Sequence, residues 1–181
     1  MNSKTLLRAT LGLLEPQSGE LRWDGCRVED PAAFLVRPRV AYTPQVPALL
    51  SGTLRENILL GLDAPAETLS RAVHRAALER DLAAFPDGLD TVVGTRGVRL
   101  SGGQALRAAA ARMFVREASL LVLDDVSSAL DVETETLLWE RLFSLVERQG
   151  VTCLVVSHRP RVLRRADQVL ALRDGRIAPP P

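Results

Sequence analysis

Only two cysteines occur in this 181-residue chain, Cys26 and Cys153, and they lie far apart with no partner motif around either. Cys153 falls inside the apolar run Val151 to Val156, so a buried, reduced thiol is expected there rather than a disulfide or a metal ligand. Excess charge of one sign is missing too. The net charge of +1 gives no basic surface for a polyanion, and no nucleic-acid partner is expected. No stretch approaches the about eighteen apolar residues of a membrane-spanning helix. The first residues also lack the apolar core of a secretory signal, and both absences point to the cytosol. Internal repeats and low-complexity segments are absent as well. What remains is ordinary for one soluble domain with a sizeable core: 46% apolar and 25% charged residues.

One pair of segments organises the rest. Leu100-Ser101-Gly102-Gly103-Gln104 places a hydroxyl residue and two glycines at the start of a helix expected over Gln104 to Met113. A helix start carries unpaired N–H groups and about half a positive elementary charge, so it favours an anion, and glycine lets backbone approach that anion closely. Leu120-Leu121-Val122-Leu123-Asp124-Asp125 is an apolar run ending in two carboxylates, the pattern of a buried strand that delivers acidic groups to a sheet edge. Phosphate at one end and a hard metal ion at the other is the reading that follows.

Around this pair, helical spacing begins at Leu6 and closes at Gly12. Glu20 to Trp23 reads as a short strand ended by Asp24-Gly25, with a polar connection after it, and Arg39 to Thr43 as another strand stopped by Pro44. Gly52 to Asn57 reads as a loop leading into Ile58 to Leu60. Ala66 to Phe85 reads as helices, and Pro86 to Gly97 as a glycine-rich loop. A helix from Glu133 to Arg148 has Leu137, Leu138, Leu142, Leu145 and Val146 on its apolar side. Thr152 to Ser157 reads as a buried strand with His158 directly behind it, and Gln168 to Leu172 as a last strand turned by Asp174-Gly175. Ala178 to Pro181 reads as a tail or linker stub. Strands alternating with helices predict an α/β fold with a mostly parallel sheet.

Taken singly, each motif has a bland alternative: a turn, a helix cap, a surface histidine. In order along nearly the whole chain, they resemble the nucleotide-binding domain of ATP-binding cassette (ABC) transporters. Leu100 to Gln104 ("LSGGQ") resembles the family signature, which touches the γ-phosphate of an ATP held by the other subunit. Leu120 to Asp125 resembles Walker B, with Asp124 the magnesium-linked carboxylate and Asp125 at the general-base position. Ser128 to Asp131 is similar to the D-loop, and His158 to the switch histidine. Gln45 falls at the glutamine that contacts magnesium and the attacking water, where the transmembrane domain docks. Ser51 to Gly61 looks most like exporter-type cassettes.

The resemblance implies a P-loop NTPase (RecA-like) domain over residues 1–181. A helical subdomain over about 48–115 would be inserted in it, carrying the signature. It implies ATP and Mg2+ as ligands, an ATPase activity, a second cassette paired head-to-tail, and a transmembrane partner or fused domain. That places the chain peripherally on the inner face of the cell membrane. Magnesium prefers oxygen ligands and retains waters, which suits one carboxylate, a hydroxyl and an amide oxygen. The metal set implied is Thr5, Gln45 and Asp124; the nucleotide set is Ser3, Lys4, Thr5, Leu100, Ser101, Gly102, Gly103, Gln104 and Asp131; and the catalytic set is Asp125, His158 and Gln45.

Three departures qualify this. The P-loop pattern G-x-x-x-x-G-K-[ST] finds only Asn2-Ser3-Lys4-Thr5, with no glycine and no strand before it. Aligning Lys4-Thr5 on the last two residues leaves Ser3 at the second glycine. Aligning on Thr5 to Arg8 instead puts Ser3 on the lysine and Lys4 on the magnesium hydroxyl, and both registers stay open. The family's opening strands and adenine-stacking aromatic are not found either, so the chain is expected to be an N-terminally truncated fragment rather than a natural short variant. Asp125 stands where the family has glutamate, one methylene longer, which predicts slow or absent hydrolysis. Leu106 replaces a glutamine and reads as helix packing, while Arg107 and Arg112 match. The alternative is a hydrolysis-impaired or regulatory cassette, or a non-functional fragment, that completes a partner's site through its signature. A soluble ABC ATPase of DNA repair or translation ranks behind both, since no coiled-coil insertion separates Gln45 from Ser101.

Overall fold

The computed structural model describes residues 3–94 and 97–178; the expectations for Met1-Asn2 and for the tail beyond Ala178 lie outside these. Helix α1 (Ser3–Thr10) starts three residues earlier than its apolar spacing suggests. It buries Leu7 and, just past its end, Leu11 against Val40 and Val122. Gly12 terminates it at φ +69°, where an added Cβ would lie 2.5 Å from Ala32 N, so the position requires glycine twice over.

The polar connection after Gly25 turns out to be ordered. Strand β1 (Leu21–Trp23) pairs antiparallel with β2 (Cys26–Val28), and a short α2 (Pro31–Phe34) follows, capped by Asp30. Elements of three or four residues are too short to register as periodicity.

After β3 (Val40–Thr43), the loop expected over Gly52 to Asn57 is instead strand β4 (Gly52–Thr53) and helix α3 (Leu54–Leu59). The cause is a capping box. Thr53 Oγ1 accepts from Glu56 N–H at 3.1 Å and Glu56 Oε2 accepts from Thr53 N–H at 2.7 Å, so a helix starts where the apolar pattern alone is silent. The helical span from Ala66 divides into α4 (Ala66–Arg75) and α5 (Glu79–Ala84), with Ala77 at φ +54° between them. Strand β5 (Val92–Val93) pairs back on β4.

Helix α6 (Gly102–Phe114), strand β6 (Leu120–Asp124) and helix α7 (Val132–Gln149) lie close to their expected bounds. Then come β7 (Thr152–Val156), α8 (Pro160–Leu163), β8 (Ala171–Arg173) and β9 (Arg176–Ala178). Strand β8 begins three residues later than expected and closes a hairpin with β9 through Asp174-Gly175.

Among the described residues, β3, β6 and β7 form one parallel sheet in that order, with Thr43 opposite Leu123 and Asp124 opposite Val156. Helix α6 packs against α3, α4 and β3, and its run Ala108–Ala111 is buried throughout, because small side chains let three neighbours approach it. From α7 the core takes Leu138, Leu142, Leu145 and also Trp139, whose Nε1–H donates to Ser127 Oγ at 3.1 Å. One expectation is corrected: β7 is only half-buried rather than buried, since it has a strand neighbour on one side alone among the described residues. Cys153 on it is accordingly half-buried, though burial still pushes its thiol pKa up to about 12.

Candidate functional site

Parallel strands end at the same edge of their sheet, so β3, β6 and β7 deliver Gln45, Asp124-Asp125 and His158 to one side. The first turn of α1 brings Lys4 there. Its ammonium donates to Gln45 Oε1, and Gln45 Nε2 donates to Asp125 Oδ2 at 2.8 Å, giving a continuous chain from lysine to carboxylate. Asp124 is 5% exposed. Tyr42 Oη lies 3.4 Å from its Oδ2, while its buried Oδ1 has no hydrogen-bond partner. Burial, and then the Asp124 charge, raise the Tyr42 pKa above its ordinary value, so the phenol stays protonated and keeps a donor toward the carboxylate.

An orphaned buried carboxylate oxygen is costly unless something fills its lone pairs, and a divalent cation does so. The donors at hand here are oxygens: Asp124 Oδ1 and, at the same sheet edge, the Gln45 amide oxygen. That set fits magnesium, with waters and phosphate oxygens completing its shell. Among the described residues no cluster of three or more His, Cys, Asp or Glu exists to hold a metal by protein groups alone.

Asp125, directly after β6, lies in the left-handed region, φ 49°, with its N–H donating to Val156 O at 2.9 Å. Aspartate tolerates this conformation better than most residues, and its strain at a candidate reacting position is of a kind that local structure must hold. Ser128 supplies part of that hold, its Oγ donating to Asp125 O at 3.1 Å.

The signature residues form a second group, at the start of α6. Ser101 caps α6 through a capping box. Its Oγ accepts from Gln104 N–H at 3.2 Å, and Gln104 Oε1 accepts from Ser101 N–H at 2.9 Å. Gly102 and Gly103 are the first two residues of this 13-residue helix, where backbone N–H groups have no partner within the helix, so their donors lie at its positive end. A Cβ at Gly103 would meet Ala129 O at 2.9 Å, so glycine is needed here for close packing against the Ser128–Asp131 loop. Leu100 is half-buried on the main core, and Leu106 is fully buried, as expected for packing.

Asp131 caps α7, accepting from Thr134 N–H at 2.9 Å. That backbone hydrogen bond, with a smaller contribution from Arg107, holds its carboxyl below the ordinary range. Ser3 and Thr5 are half-buried on the first turn of α1, and His158 is exposed. Sequence reasoning missed Tyr42, Asp81, whose carboxylate accepts from Gln104 and Arg107 of α6, and the Thr53–Glu56 box. Only the last had a local signal, T-x-x-E before an apolar pair.

A parallel α/β sheet carrying an acidic pair at its strand ends, beside a glycine-opened helix, defines a nucleotide-binding domain of the P-loop class. A family model described as "ABC transporter" matches residues 4–128, and the chain belongs to that family, as an ATP-binding domain. Over 164 residues it is 42% identical to the uncharacterized ABC transporter ATP-binding protein YwjA of Bacillus subtilis, covering 90% of this chain and 28% of that protein. It is 36% identical to an ATP-dependent lipid A-core flippase of Burkholderia thailandensis, covering 96% of this chain and 29% of the flippase. A solved structure of a bacterial Atm1-family ABC exporter with ATP bound superposes with a TM-score of 0.87 at 30% identity, covering 97% of this chain and 31% of that one. The chain thus spans under a third of the length of these relatives. Among the described residues no helix is long and apolar enough to cross a membrane.

Proposed function

We propose that this chain is the ATP-binding and ATP-hydrolysing part of an exporter-type ABC transporter, cytoplasmic and attached to a transmembrane partner or fused domain. The observation that carries the reading is Asp124: a buried carboxylate with one unpartnered oxygen, beside the Lys4–Gln45–Asp125 chain at the sheet edge. The resemblance to exporters and flippases supports the rest.

In this reading Lys4 leaves Gln45 for the phosphates of ATP, with Ser3 and Thr5 on the same turn. Thr5, Gln45 and Asp124 would hold magnesium, which when bound would supply positive charge to neutralise the phosphates. Asp125 orients or deprotonates the attacking water, and His158 contacts the γ-phosphate. Leu100 to Gln104 and Asp131, on the helical subdomain spanning about 48–115 and at the start of α7, serve the ATP of a second cassette paired head-to-tail. Closing that dimer on ATP and reopening it after hydrolysis would move the transmembrane partner.

Equilibrium binding of a fluorescent ATP analogue, with and without Mg2+, tests this. Saturable binding that strengthens with Mg2+ and loses that gain in Asp124→Asn is expected; the absence of saturable binding overturns it.

One observation favours a second reading, a cassette that binds ATP but hydrolyses it poorly. The short Asp125 side chain is already engaged by Gln45 at 2.8 Å, drawing it toward β3. Single-turnover hydrolysis separates the two.

A further inference from the structure

Three consecutive residues of α5 point their charges in two directions. Glu79 Oε1 accepts from Arg141 of α7 at 2.7 Å, and Arg80 Nη1 donates to Glu133 of α7 at 2.8 Å. The next residue, Asp81, turns to α6. Its Oδ2 accepts from Arg107 Nη2 at 2.6 Å and Nε at 3.0 Å, and its Oδ1 accepts from Gln104 Nε2 at 3.1 Å. The Asp81 and Arg107 side chains are 13% and 10% exposed, the most enclosed acid–arginine pair in the described molecule. Gln104 is thereby used at both ends, its nitrogen on Asp81 and its oxygen on Ser101 N–H.

We infer that Asp81 is the positioning residue of the signature: through Gln104 and Arg107 it fixes the orientation of the α6 start, so that the N–H groups of Gly102 and Gly103 in its first turn are held toward an anion. The inference rests on the reading of Leu100 to Gln104 as the half-site offered to a partner cassette.

The physics favours a positioning role over a purely stabilising one. An enclosed ion pair adds little net stability over an apolar pair, but its geometry is specific. Two guanidinium donors converge on Oδ2 while Gln104 takes Oδ1, so both oxygens of the carboxylate are held and its direction as well as its distance is fixed. Leaving Gln104 Nε2 unpaired frees the side chain to rotate, and the bond from Oε1 to Ser101 N–H goes with it. Arg80 holds α5 to Glu133 in the first turn of α7, whose cap is Asp131, and Glu79 holds it to Arg141 in the middle of that helix. Both elements assigned to the partner's nucleotide therefore hang on one short helix. A cavity of about 240 Å³ between α5 and α7, lined by Ala77, Glu79, Arg80, Glu133 and Arg141 among others, leaves that helix room to adjust.

The test is Asp81→Ala in this chain, read two ways, with Gln104→Ala and the double variant alongside. Amide hydrogen exchange needs no nucleotide. In Asp81→Ala the Ser101 and Gln104 amides should exchange about tenfold faster while those of Ala109 and Ala110 hold their protection. Unchanged protection of Ser101 and Gln104, or equal loss along all of α6, overturns the inference. Nucleotide-driven dimerisation, followed by light scattering with Mg2+ and ATPγS, should weaken about tenfold in Asp81→Ala while ATPγS affinity at the chain's own site is unchanged, and the double variant should be no worse than Gln104→Ala. Equal loss of own-site affinity and dimerisation, or additive losses, overturns it. If the unaltered chain does not dimerise with ATPγS, the functional reading fails on its own, and amide exchange still decides the role of Asp81.

Discussion

The Gln45 carboxamide holds Asp125 Oδ2 at 2.8 Å with its nitrogen while its oxygen accepts from Lys4. One neutral side chain therefore ties the lysine of α1 to the carboxylate that follows β6. In the proposed function Lys4 must leave this chain for a phosphate and Asp125 must turn to water, so ATP would compete with that closure.

This sets the expectation for Asp125→Glu. Aspartate and glutamate have similar intrinsic pKa values, so basicity changes little. The extra methylene moves the carboxylate by about 1 Å, and a displacement of that size can be worth about a hundredfold in rate. Asp125→Glu should raise the single-turnover rate of phosphate release by ten- to a hundredfold, on the order given by that displacement. An unchanged rate would show that reach at this position is not limiting.

The two signature glycines should respond to alanine with opposite signs. Inside a helix, Gly→Ala ordinarily stabilises by about 0.5–1 kcal/mol through lost backbone freedom in the unfolded chain. At Gly102 the nearest atom to an added Cβ is Ala129 Cβ at 3.7 Å, an ordinary contact, so Gly102→Ala should be neutral or stabilising. At Gly103 the same Cβ would sit 2.9 Å from Ala129 O and 3.3 Å from Arg107 Nη1. Gly103→Ala should therefore cost about 1–3 kcal/mol, the range for forced overpacking. Urea denaturation of both variants checks the signs, and equal effects would contradict the packing.

Most of this architecture was legible because long elements carry their own period. Helix α7 is 18 residues and α6 is 13, long enough for their apolar residues to mark them as helices. The strand-end residues Gln45, Asp125 and His158 could be placed at one edge because parallel strands leave no other choice. What escaped was short or non-local. Strand β2 has three residues and α2 four, below any periodic signal. Asp81 was invisible as a partner because nothing near it in sequence hints at Gln104 or Arg107, 23 and 26 positions away. Strand β7 looked buried from composition, yet burial depends on the neighbour, not on the strand.

The two thiols should separate cleanly by reactivity. Cys26 is exposed, whereas burial pushes the Cys153 thiol up to about 12. The thiolate is the nucleophile, so at pH 8 Cys153 is almost wholly in its unreactive form. Brief iodoacetamide treatment of the native chain should alkylate Cys26 and spare Cys153, with both modified after unfolding. Peptide mass spectrometry reads this directly, and equal native labelling would mean that β7 opens readily.

The cap of α7 should give the fold an acid-side dependence at one residue. The backbone N–H of Thr134 stabilises ionised Asp131, so its folded pKa is depressed below the unfolded value of about 3.9. For a depressed carboxyl the sign is fixed: its contribution is present in full above the unfolded pKa and is lost as pH falls through the folded one. Asn caps a helix about as well as Asp but does not titrate. The stability of the unaltered chain relative to Asp131→Asn should therefore be constant from neutral pH down to about 5, then fall through the unfolded value near 3.9. Parallel urea titrations at a series of pH values measure that difference. A difference that stays flat to below pH 3 would mean that the Asp131 carboxylate is not what holds the start of α7, and that Asp131 is free to turn to a partner's nucleotide without unwinding its own helix.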